Sequence, residues 1–179
     1  TRSNARPPRQ PSRTPTDPQR LRPPGPAMPR KNSIRLPFVD YRVGWFLVTT
    51  NAHRRSEIFG RVVAGRFEPS ALGELIVASW RFTLGGKPNV EVRAFQVMPN
   101  HLHAVVGLDG ASGTLGALVG SMKSGASRRA RAAGLLRRNQ RMWHRGYHTR
   151  SLLDERARRC ASAYVRANPA NWRRRRPYG

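Results

Sequence analysis

The chain has 179 residues, room for one domain plus tails, and carries 34 Lys and Arg against 9 Asp and Glu, a formal charge of +25. An excess that large points to a polyanionic partner, nucleic acid first and an anionic membrane surface second. No apolar run approaches the ~18 residues of a membrane span and no signal-peptide pattern is present, so the membrane reading becomes a minor one; with Cys160 as the only cysteine, an internal disulfide and a thiolate metal cluster are excluded and a reducing cytoplasm fits.

Residues 1–32 are rich in Pro and Arg with almost nothing apolar between them. Such a segment cannot bury enough surface to offset the entropy of ordering, and it reads as a disordered basic arm. Its arginines can bind phosphate without sequence preference, or the segment can be a solvated leader. The domain spans 33–172, followed by a basic tail at 173–179. Within it, Trp45 to Thr50 is a dense strand pattern and reads as a central strand. Asn51 to Arg61 is polar and basic, and reads as a loop. After Pro69, Leu72, Leu75, Ile76 and Ser79 fall at helical spacing, and Gly85 to Asn89 is a turn.

Val90 to Val97 reads as a strand and Ala104 to Gly107 as another, joined through Met98-Pro99-Asn100-His101-Leu102-His103. Pro99 and Asn100 are turn residues. If the histidines open the returning strand, the two-residue period puts both imidazoles on one face and Leu102 on the other. Two imidazoles so placed make half of a metal site; the same pattern also arises as two solvated strand residues, and alone it decides nothing. Thr114 is an N-cap, and Leu115, Leu118, Val119 and Met122 form one apolar helix face. Lys123, Arg128 and Arg129 extend that helix with positive charge, as a solvated face or a binding surface. Met142 to Tyr147 reads as a short strand, and a last helix runs from about Asp154 to Ala167, stopping before Pro169. The order β-α-β-β-α-β-α is close to an α+β, ferredoxin-like antiparallel sheet with helices on one face and the other face open.

Tyr164 and Asn168 lie four residues apart on the last helix and share a face. With His101 and His103 they suffice for one reaction: a divalent cation held by the imidazoles and the amide polarises a phosphodiester, and the tyrosine hydroxyl attacks phosphorus. A phenol titrates near ~10 and needs that polarisation. The plainer reading of Tyr164 is a packed aromatic.

The sequence resembles the REP-associated tyrosine transposases, a branch of the single-tyrosine HUH transposases. The resemblance rests on Ser33 to Pro37 with Asp40-Tyr41, Val48 to Asn51 with Arg54 or Arg55 and Phe59, Val97 to His103, Trp143-x-Arg145-x-Tyr147, and Tyr164-x-x-x-Asn168-Pro169 with Trp172. It implies a metal-dependent enzyme that cuts and rejoins single-stranded, hairpin-forming DNA through a 5′-phosphotyrosine. His101, His103 and Asn168 match the positions of its metal ligands and Tyr164 that of its nucleophile, with Mg²⁺ or Mn²⁺ as the implied ion, although imidazoles alone favour zinc. Lys123, Arg128, Arg129, Trp143, Arg145, Arg173 and Arg174 are the candidate DNA contacts, in a monomer or a homodimer. Arg150 and Leu153 depart from the family's pattern, where a His and an Arg are usual. Two other classes compete: a domesticated binder of structured single-stranded DNA or RNA, and a metal hydrolase without a covalent intermediate.

Overall fold

The structure is a computed structural model that describes residues 39–172 except Gly86 and Ser112; the Pro/Arg-rich arm and the tail with Arg173 and Arg174 lie outside the described residues. β1 (Val43–Asn51) is the expected central strand. It pairs on one side with β5 (His101–Asp109) and on the other with β6 (His148–Ser151), both antiparallel. β4 (Val90–Met98) lies outside β5, giving the order β4-β5-β1-β6. α1 (Ala71–Gly85) connects β1 to β4 across β5, and α2 (Leu115–Ala132) connects β5 to β6 across β1. Two such interleaved units make the ferredoxin-like α+β pattern.

Strand alternation divides the side chains between two layers. Phe46 and Val48 of β1 with Leu102, Ala104, Val106 and Leu108 of β5 pack against Ile76 and Trp80 of α1 and Leu115, Leu118, Val119 and Met122 of α2. This is the main core. Thr114 caps α2, its hydroxyl accepting from Ala117 N at 3.1 Å. The other face carries α3 (Glu155–Ala167), whose Ala161 and Val165 pack on Ala94, Val105 and Leu152. Asp154 caps it, accepting from Ala157 N at 2.7 Å. The two crossover helices therefore cover one face as expected, while the third lies on the face expected to be open. The unbroken run Ala104-Val105-Val106 has that physical cause: a strand buried on both faces has no polar alternation to show.

Two elements differ from the sequence reading. The stretch from Asn51 holds a short turn (His53–Arg55) and then a hairpin of β2 (Gly60–Val63) and β3 (Arg66–Pro69). Ala64 and Gly65 turn it with φ of 48° and 75°, the positive pair of a tight hairpin turn. Met142 to Tyr147 is not a strand. Trp143 makes only a single bridge to Ala52, and β6 begins at His148. Met142 is buried and Trp143 packs on Phe59 at 5.0 Å, so this apolar segment wedges into the core instead of pairing along it. Among the described residues no helix is long and apolar enough to cross a membrane.

Candidate active site

Pro99 and Asn100 form a two-residue turn between β4 and β5, with Met98 paired to His101. The turn is held from outside the hairpin. The Asn100 carbonyl accepts from Ala52 N at 2.8 Å and the Pro99 carbonyl from Phe59 N at 3.0 Å. His101 and His103 open β5 on the face that carries α3, and Leu102 enters the main core.

A chain of polar contacts fixes the two rings. His101 Nδ1 donates to Asn100 Oδ1 at 2.7 Å, which leaves the lone pair on Nε2. His103 Nδ1 meets the hydroxyl of Thr49, its cross-strand partner, at 2.8 Å. The two Nε2 atoms face each other at 3.1 Å. Only a shared proton or a shared cation makes so close a pair of ring nitrogens favourable. His103 is 6 % exposed, so the alternative of two solvated strand histidines does not hold for it. Burial, and then the charge of Arg55, push His101 down to about 4; burial, and then His101, push His103 down to about 3. Both rings are therefore neutral near pH 7, the form that donates a lone pair.

That neutrality has a consequence for stability. The unfolded chain takes up protons at these positions near pH 6.5, while the folded protein resists until about pH 4 at His101 and about pH 3 at His103. Stability contributed by the neutral rings is thus complete above pH 6.5 and is lost as the pH falls towards 4. Thermal melts in EDTA should show a lower Tm at pH 4.5 than at pH 7. The loss should be smaller in a variant lacking both histidines, and an equal loss would contradict the buried neutral pair.

α3 supplies the remaining groups. Tyr164 sets its ring edgewise on His103 at 5.4 Å while staying 54 % exposed. Trp172, beyond the helix end, lies 5.8 Å from His101. Asn168 caps α3 and turns its amide nitrogen back to the Tyr164 carbonyl at 3.3 Å. The contacts on the imidazole rings are thus made by Tyr164 and Trp172. Among the described residues no group of three or more His, Cys, Asp or Glu could hold a metal, so any protein donor beyond the two nitrogens must be of another kind, such as an amide oxygen.

The expected DNA contacts are scattered. Lys123 Nζ donates to the carbonyls of His144 and Gly146, both at 2.8 Å, and burial lowers its pKa. Trp143 Nε1 donates to the Lys123 carbonyl at 3.0 Å. These two residues brace the loop that holds Arg145, which itself is exposed. Arg128 and Arg129 are exposed on α2, across the sheet from the histidines, and Arg129 lies over the Phe82 ring at 4.7 Å. Sequence reasoning passed over Thr49 as a partner of His103. Thr49 lies in the Val48–Asn51 stretch of the resemblance, but only the β1–β5 register shows that it meets His103.

Residues 82–168 match the family model described as "Transposase IS200 like", a span that contains both histidines, Tyr164 and Asn168. An uncharacterized protein of Haemophilus influenzae is 24 % identical over 164 residues, covering 79 % of this chain and 89 % of that one. Among solved structures, a REP-associated tyrosine transposase bound to a REP hairpin aligns with a TM-score of 0.55 at 18 % identity, over 73 % of this chain and 68 % of that one. In sequence over residues 82–168 the chain resembles the IS200-like transposases, and in fold it resembles a REP-associated tyrosine transposase.

Proposed function

We propose that this chain cuts and rejoins single-stranded, hairpin-forming DNA, with Tyr164 as nucleophile. The observation that carries the reading is the approach of the Tyr164 ring to His103, beside two Nε2 atoms 3.1 Å apart. A phenol and a pair of convergent lone pairs are thereby offered to one phosphate.

The donor set fits a divalent cation. The two Nε2 atoms, 3.1 Å apart, are close enough for one ion to meet both, and the ion taken here is the Mg²⁺ or Mn²⁺ that the resemblance implies. His101 Nε2, His103 Nε2 and the Asn168 amide oxygen would hold the ion, and when bound it would draw electron density from the phosphate oxygens. Asn100 and Thr49 hold the two rings in register.

The Tyr164 oxygen attacks phosphorus and loses its proton to water, to which the side chain is half open. The bond from phosphorus to the 3′ oxygen breaks and that oxygen leaves as a hydroxyl. The 5′ phosphate stays on the tyrosine. Attack by a 3′ hydroxyl reverses the step and reseals the strand, with no oxidant or nucleotide consumed. The formal charge of +25 suits the polyanion.

Hairpin DNA labelled at one end or the other, incubated with the protein and Mn²⁺, tests the reading. The 3′-labelled strand should become attached to protein, while the 5′-labelled strand gives a free fragment. Cleavage that leaves no label on protein would indicate a hydrolase, and tight binding without cleavage a binding module; either result overturns the proposal.

A further inference from the structure

β4 does not run evenly against β5. Val92 faces Val106 and Ala94 faces Val105, so Arg93 is the extra residue of a β-bulge. A bulge re-aims the side chain it inserts, and this one turns Arg93 onto the face that carries α3. Its Nη1 donates to both carboxylate oxygens of Glu155, at 2.7 and 2.9 Å, in the first turn of α3. Its carbonyl accepts from Arg166 Nη2 at 2.7 Å, in the last turn. The guanidinium also stands 5.3 Å from the centre of the Trp45 ring, which Arg158 of α3 approaches at 5.5 Å. A Cβ on Gly107 would come within 2.8 Å of that ring, so the glycine makes room for it.

One residue of the sheet therefore grips both ends of α3. The grip matters because few side chains are fully buried under the helix, Ala161 and Val165 against Ala94, Val105 and Leu152, with Trp45, Leu47 and Ala157 only partly buried beside them. Tyr164 stands two residues before Arg166 on this helix. A tilt or slide at either contact passes directly to the phenol.

We propose that Arg93 is a positioning residue: its guanidinium on Glu155, beside the bulge carbonyl that holds Arg166, sets the seat of α3, and with it the place of Tyr164 over His103. The meaning of that placement rests on the strand-transfer reading, but the seat itself can be measured without it. Cys160, the only cysteine, is exposed on α3 and takes a spin label in the full chain. Arg93→Gln and Glu155→Gln should each raise the mobility of the label, and the double variant should go no further than Glu155→Gln, which also releases Arg158 and Arg159. Adduct formation should fall by about 10- to 100-fold in kcat, with KM for DNA unchanged. Arg61→Gln, which breaks the Arg61–Glu68 pair of the hairpin at the same cost in charge, should change neither. An unmoved label, an unchanged rate, or a raised KM at constant kcat overturns the proposal. A wild-type protein that forms no adduct would defeat the strand-transfer reading, and the label would still decide the seat.

Discussion

Tyr164→Phe should form no covalent DNA adduct, a loss of more than about 10³-fold, while binding the same DNA nearly as tightly as the parent. Only a hydroxyl is removed from a ring that is 54 % exposed, so the packing on His103 survives. Tyr147 is the control, because the chain offers it as a second candidate. Its ring packs against the main core, on the side of the sheet away from the imidazoles. Tyr147→Phe should keep adduct formation. Peptide mapping of the wild-type adduct decides between them. A phosphotyrosyl peptide that contains Tyr147, or an adduct surviving in Tyr164→Phe, would overturn the assignment.

The second large effect separates the two histidines. His101→Ala and His103→Ala should both abolish Mn²⁺-dependent cleavage, since each removes one of two nitrogens that no other histidine, cysteine or carboxylate cluster replaces among the described residues. Their stabilities should differ. His103 is buried, bonded to Thr49 and covered by Tyr164, so its removal leaves a cavity and an unpaired hydroxyl. That combination costs about 2–3 kcal/mol, or roughly 5–10 °C in Tm. His101 is only partly buried at the mouth of the turn, and its loss should cost about 1 kcal/mol. Equal melting temperatures for the two variants would contradict the buried position of His103.

The parts of the fold legible in the sequence are those fixed by local chemistry. Thr114 and Asp154 cap helices where their spacing to the apolar faces places them, and Pro99-Asn100 marks the hairpin. Leu102 turns inward as alternation requires. What escaped depends on contacts distant in sequence. Met142-Trp143 has the composition of a strand but is spent filling space beside Phe59. β6, with only Thr149 as a β-branched residue, is a strand because β1 offers it an edge. In the site, Tyr164 and the imidazoles could be named from spacing and resemblance, whereas Thr49, the burial of His103 and the inward turn of Lys123 come from register and packing. Lys123 shows the limit of charge as a guide: its ammonium holds two loop carbonyls.

If copies of this chain gather along one nucleic acid, as the proposed function implies, the sheet's two outer strands bear on how they behave. An uncovered strand with a flat row of free backbone groups invites a second molecule to extend the sheet, the usual start of aggregation. β6 is four residues long, with His148 and Arg150 exposed along it. On the far side, the bulge at Arg93 breaks the regular spacing of β4. Among the described residues neither border offers a long, even, uncharged template, so the sheet itself gives molecules gathered on a shared polyanion little means of zipping together. Arg150, which departs from the family's pattern, places a positive charge on the shorter border.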